Sequence, residues 1–212
     1  MQILSLRHLL CAAVVFIAAD ASASKAIMIN QTSRTPLFDG RCGDGEWQGA
    51  TRIQLPAEAA VYLMHDQHSL FVCAKAKDND YTVIDLYIED AKTGHLHNLH
   101  ASAQLGERLF TENAWSESEF WNHKDWSAFW VPYAGNEDTE NGLRTRFLKG
   151  SHREVQVLRS KFPGNTWNMM IGVSGLHHEG KYGAEFFHPE SAVDTDASTW
   201  ARFSFAGEEG AR

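Results

Sequence analysis

The chain of 212 residues has only three cysteines and a deficit of basic residues, 19 Lys and Arg against 27 Asp and Glu. No apolar run reaches the roughly 18 residues that a membrane-crossing helix requires, so no such span is expected. The formal net charge of -8 makes phosphate backbones and anionic lipid poor partners, and nucleic acid is not expected as a ligand. No Gly-x-Ser-x-Gly elbow, P-loop or dinucleotide fingerprint occurs, so none of the common nucleophile or nucleotide chemistries is announced. The missing Cys-x-x-Cys-His motif excludes covalently attached c-type haem. Internal repeats and helices of amphipathic period are also absent.

The first residues form a targeting segment. Arg7 and His8 precede an apolar stretch, Leu9 to Ala19, of secretory length, and Ala21-Ser22-Ala23 supplies small residues for cleavage. Residues 1–23 are therefore expected to be a signal peptide, and residues 24–212 a single secreted or periplasmic domain without a membrane anchor. Cys11 follows His8, Leu9 and Leu10, where a lipoprotein signal wants small residues. Export leaves two cysteines, Cys42 and Cys73, in an oxidising compartment where an even count favours a disulfide. Closing that loop would restrict the unfolded chain by roughly 3–4 kcal/mol. The alternative is two separate buried thiols.

What remains reads as short strands punctuated by turns. Ala60–Met64 and Leu70–Ala76 flank a polar hairpin, and the second run is apolar on both faces, which predicts a central strand. Tyr81–Glu89 alternates cleanly, with Ile84, Leu86 and Ile88 on one side, and the turn Ala91-Lys92-Thr93-Gly94 leads into a partner strand from His95 to Ala101. Further strands are expected at Leu143–Leu148, Glu154–Leu158, Trp167–Val173 and Thr199–Phe205. Gly180–Asp196 reads as a loop, and Glu208–Arg212 as a loose tail. The fold class is all-β, an antiparallel β-sandwich of jelly-roll-like form. Residues 112–142 interrupt it as a long, aromatic-rich loop insertion without a steady period.

The segment Phe38-Asp39-Gly40-Arg41-Cys42-Gly43-Asp44-Gly45-Glu46-Trp47-Gln48-Gly49-Ala50 resembles the opening of family 9 carbohydrate-binding modules. Val61–Asp66, Leu70-Phe71-Val72, Asp78 and Asp85–Asp90 resemble the strands that follow, and Thr199–Phe205 resembles the last strand. The likeness covers the first third of the domain and its end. It implies a β-sandwich shared with extracellular domains that bind sugar or haem, a scaffold on which several functions sit.

The insertion holds the candidate site. A pyranose offers a flat face of C–H groups edged by hydroxyls, which an exposed aromatic ring flanked by planar polar side chains can grip. Trp115, Glu119, Trp121, Asn122, Trp126 and Trp130 supply both kinds of group, with Asn113 and Asp125 between them. Covering one sugar face removes on the order of 100 Å² from water, about 2.5 kcal/mol, which predicts binding in the micromolar to millimolar range. The bland alternative is that these rings pack the insertion onto the sandwich. Trp47 and Trp167 lie beside or within strand-like runs and are assigned to packing.

Other constellations are weaker. His95, His97 and His100 lack the spacing of a zinc site, and no metal is expected there. Met64, Met169 and Met170 are the candidate axial ligands for the runner-up reading, a periplasmic haem-binding domain of the same fold. Asp39, Asp44 and Glu46 crowd a glycine-rich turn that could suit calcium, as could Asp78 and Asp80, although acidic turns are usually just solvated. No cofactor is otherwise expected. Asp85, Glu89, Glu117 and Glu119 could furnish the paired carboxylates of a small glycan-active hydrolase, but no catalytic residue is assigned.

Overall fold

The computed structural model describes residues 25–43, 45–129, 133–147 and 150–207. Residues 1–23, expected to be a signal peptide, and Asp44, Trp130, Leu148 and the tail from 208 lie outside the described residues. Among the described residues fifteen strands occur in chain order: β1 (Ile27–Gln31), β2 (Thr51–Gln54), β3 (Ala60–His65), β4 (Ser69–Lys75), β5 (Val83–Glu89), β6 (Leu96–Ala101), β7 (Leu105–Thr111), β8 (Ala114–Trp115), β9 (Trp126–Phe129), β10 (Tyr133–Thr139), β11 (Gly142–Phe147), β12 (His152–Leu158), β13 (Thr166–His178), β14 (Lys181–His188) and β15 (Ala201–Phe205).

Two sheets face each other. The first runs β8-β7-β6-β5-β13-β15-β1, with β14 also on β13, and the second runs β1-β3-β4-β12-β9, with β2 on β3. Strand β1 belongs to both, pairing Ile27–Ile29 with β15 and Asn30–Gln31 with β3. These are the two parallel pairings of the named strands, and the other ladders are antiparallel. Strands β10 and β11 pair only with each other among the described residues.

Alternation explains the layers. On β5, Ile84, Leu86 and Ile88 point between the sheets while Asp85 and Tyr87 point away. Facing them, Leu63, Leu70, Val72, Val155 and Val157 complete the inter-sheet core with Trp167, Met169, Ile171 and Phe203. Strand β4 is apolar on both faces because both are covered. Leu70, Val72 and Ala74 face the core, while Phe71 and Cys73 pack with Cys42, Trp47, Ala50 and Met64 on the other side. Cys42 and Cys73 form a disulfide, with Cα atoms 6.1 Å apart.

A buried carboxylate ties down the same cover. Glu154 sits opposite Cys73 in the β12–β4 ladder and accepts hydrogen bonds from the Asp39 and Gly40 amides at 3.1 and 2.7 Å. Burial pushes its pKa up despite those bonds. Gly40 has φ +79°, and a Cβ there would come within 2.3 Å of the Phe129 ring, so the turn can approach β9 only as glycine.

Two expectations need correction. Gly180–Asp196 is not simply a loop, since residues 181–188 form β14 against a β13 that extends to His178. Register shifts beside Leu176, together with Gly183 at φ +97°, break the alternation that would have revealed the pair. The insertion is not structureless either, because β8 joins the first sheet and β9 the second.

The disulfide closes a 31-residue separation, so the Cys42→Ala/Cys73→Ala double variant should lose roughly 2–4 kcal/mol of stability in urea unfolding. An unchanged midpoint would show that the bridge contributes nothing beyond packing.

Candidate ligand-binding site

The aromatic insertion first runs back along β7 and then crosses between the sheets. Phe110 pairs with Trp115, and Glu107 exchanges backbone hydrogen bonds of 2.9 Å with Glu119. Gly106 permits this approach, since a Cβ there would come within 2.5 Å of Ser118 Oγ. From Phe120 to Asp125 the chain leaves the first sheet, and at Trp126 it enters the second beside β12. Asn122 turns the crossing at φ +65°, a left-handed conformation that asparagine tolerates better than most residues.

A cleft of about 480 Å³ opens at this crossing, between the β6–β7 turn and β9. Ala103, Gln104 and Leu105 line one wall, Trp126 to Ala128 the other, and Phe120 to His123 complete it. Trp121 is 77% exposed and Phe120 44%, so two rings stand in water at its mouth. The volume lies within the roughly 300–1,000 Å³ typical of small-molecule sites.

Trp126 was expected to be an exposed ligand ring, and here the structure corrects the sequence reading: it is 4% exposed. The cause is Glu107, whose side chain points from β7 toward the second sheet. Its Oε2 accepts from Trp126 Nε1 at 2.8 Å, and its Oε1 takes Lys161 Nζ at 2.8 Å and His97 Nδ1 at 3.0 Å. Burial raises the Glu107 pKa, but the bonds from His97, Lys161 and Trp126 and the Lys161 charge outweigh it and bring the group down to about 2. His123 packs on Trp126 with ring centroids 4.7 Å apart and its Nδ1 3.8 Å from Glu107.

The remaining candidates separate. Trp115 lies on the outer face of the first sheet, its Nε1 donating to Asp194 at 3.1 Å, with Tyr87 edge-on and Arg108 stacked 5.2 Å from its ring centroid. That face is packed by Tyr87, Leu96, Met170 and Trp200. Burial and the Asp85 charge push the Tyr87 phenol well above its ordinary range. Glu119 is exposed, and Trp130 lies outside the described residues. The structure therefore brings Trp121, Asn122 and Trp126 to one cleft and places Trp115 elsewhere. Sequence reasoning missed Gln104, His123 and Ser127, which line the same cleft.

The other constellations also resolve. His97 points inward to Glu107, whereas His100 points outward to Asp85 at 3.0 Å and His95 is exposed. Met169, Met170 and Met64 belong to three separate clusters, so they offer no common pair of axial donors and no haem site is drawn from them. Asp39 Oδ1 accepts from the Arg41 amide, Glu46 Oε1 from that of Leu37, and buried Asp80 from the amides of Lys77 and His177. Among the described residues no group of three or more His, Cys, Asp or Glu is placed to hold a metal ion. Of the carboxylates considered for hydrolysis, Asp85 accepts from Asn98 and Glu89 from Asn168, each through a side-chain amide. No helix among the described residues is long and apolar enough to cross a membrane.

No protein-family model matches the chain, and no curated protein matches its sequence. Its fold is similar to that of a family 9 carbohydrate-binding module from Caldicellulosiruptor kristjanssonii in complex with glucose, with TM-score 0.50 and 12% identity, over 86% of this chain and 96% of that one. It is also similar to a proposed carbohydrate-binding protein from Bacteroides uniformis, with TM-score 0.50 and 9% identity, over 85% and 99%. The fold is thus the β-sandwich of the family 9 carbohydrate-binding type, and at these identities the likeness speaks for fold alone.

Glu107 makes the stability of the fold depend on pH. Because its folded pKa lies near 2 against an ordinary 4.5, its stabilisation is complete above about pH 4.5 and is lost as pH falls toward 2. That shift corresponds to roughly 3 kcal/mol. In urea unfolding, Glu107→Gln should lie about that far below the wild type at pH 7, with the gap narrowing as pH falls from 4.5 to 2. A gap independent of pH would remove the ion cluster from the account.

Proposed function

We propose that this protein is an exported, non-catalytic carbohydrate-recognition domain that binds its glycan at the Trp121 cleft. The observation that carries this reading is the exposure of the Trp121 indole, 77%, at the mouth of a cleft whose walls also hold Asn122, Gln104 and Ser127. The adjacent exposed rings of Phe120 and Trp121 form apolar surface that a ligand can cover, and a pyranose face is a flat apolar partner with hydroxyls for amide and hydroxyl side chains. Support of a coarser kind comes from the fold, since one protein that shares it is a module in complex with glucose. The Cys42–Cys73 disulfide accords with export to an oxidising compartment.

The mechanism is recognition by stacking and hydrogen bonding. The sugar face lies on Trp121, and its ring-edge hydroxyls meet the amides of Asn122 and Gln104. Glu107 acts at one remove, by fixing the wall residue Trp126 through its indole N–H. Asn122, already in its turn conformation, loses little entropy when the ligand arrives.

Trp121→Ala should weaken glycan binding by about 2.5 kcal/mol, some 50- to 100-fold in calorimetric titration, while leaving the melting temperature nearly unchanged. Trp126→Ala should instead cost roughly 3–5 kcal/mol of stability, as expected for a buried indole. Binding by Trp121→Ala equal to that of the wild type would contradict the assignment of the cleft.

A further inference from the structure

The cleft is roomier and more apolar than one sugar ring requires. A hexose has twelve non-hydrogen atoms, and even at the ~30 Å³ share of a liquid water for each it leaves at least roughly a quarter of the volume unfilled. The cleft measures about 480 Å³. Beside the polar Gln104, Asn122, His123 and Ser127, the walls present Ala103, Leu105, Phe120, Trp126 and Ala128, and Leu105 and Ala128 continue into the inter-sheet core. Unfilled space against the apolar part of these walls forfeits dispersion contacts that a larger ligand could make.

Charge is the second observation. Charged residues make up 22% of the chain, yet no Asp, Glu, Lys or Arg lines this cleft. The neighbouring carboxylate, Glu107, is already held by Trp126, Lys161 and His97. A uronic acid or sulfated sugar entering here would lose hydration without meeting a Lys or Arg in the walls. Lys161, the cation beside Glu107, is committed to it with its side chain 14% exposed.

Resting on the carbohydrate reading of this cleft, we infer that its ligand is an uncharged glycoside bearing a compact apolar substituent, an aryl or short alkyl aglycone. The sugar ring stacks on Trp121, and the substituent enters between Leu105 and Trp126. The cleft thereby selects the end of a conjugate, where sugar and apolar group adjoin.

The test is calorimetric titration of the wild-type protein with the methyl and phenyl β-glycosides of glucose, galactose, mannose and xylose, and with phenyl β-glucuronide and β-galacturonide. For the sugar that binds, the phenyl glycoside should bind at least about ten-fold more tightly than the methyl glycoside. Each uronide should bind more weakly than the matching hexoside. Ala103→Phe, which fills the apolar side from the β6–β7 turn, should bring the phenyl-to-methyl ratio close to one, with thermal melting as the check on folding. Equal affinities for the methyl and phenyl pair in the wild type would overturn the inference and leave the carbohydrate reading standing. A phenyl advantage that survives Ala103→Phe, or tighter uronide binding, would overturn it as well. No binding to any member of the panel would end both.

Discussion

The geometry of this sandwich turns on one carboxylate placed where an aliphatic side chain would be expected. Glu107 projects inward from β7, the strand beside the short edge strand β8 in the first sheet, and receives the indole N–H of Trp126 from β9, the edge strand of the second. Lys161 and His97 complete its shell, so the charge is paired and hydrogen-bonded as burial demands. Each sheet edge is thereby pinned to the other through a polar contact. The chain that links β8 to β9 must then span the gap between the sheets, and the cleft lies in that span.

The outer faces of the two sheets are filled in different ways. Residues 39–43 and 45–50 cover the second sheet, held by the Cys42–Cys73 bridge and by Glu154 accepting two turn amides. On the first sheet, Trp115, Trp200 and Tyr87 pack edge-to-face above Leu96 and Met170, with Arg108 stacked on Trp115 and donating to Asn98. Both faces spend their aromatic and polar groups on each other. At the crossing between sheets, by contrast, Trp121 and Phe120 are left facing water. Tyr182 is also open, at 58%, but Trp121 is the more exposed ring and is the one that borders the apolar cleft.

Much of the scaffold could be read from the residues. Strands β3, β4, β5 and β6 announce themselves because their alternation is intact, and β4 is apolar on both faces because it is covered on both. Strand β7 escaped because Glu107 occupies an inward position between Leu105 and Leu109, which erases the period-two signal. Strand β14 escaped because its partner β13 carries register shifts that no local pattern records. At the site, the sequence identified the right segment but not the direction of its rings. Trp121 and Trp126 lie five residues apart in one polar, irregular stretch, and only the distant acceptor Glu107 decides that the second turns inward. Gln104, on a turn between two strands, became visible only when the fold brought it beside Trp121.

The central claim is that a guest sits on Trp121, and the indole N–H resonances report on it directly. In a two-dimensional ¹H–¹⁵N spectrum followed through a glycoside titration, the Trp121 indole signal, assigned by substitution, should move saturably. The signals of Trp47 and Trp167, buried at 5% and 2% exposure, should stay fixed. Saturable binding that moved the Trp115 and Trp200 signals while leaving Trp121 unchanged would place the ligand on the outer face of the first sheet and contradict the account.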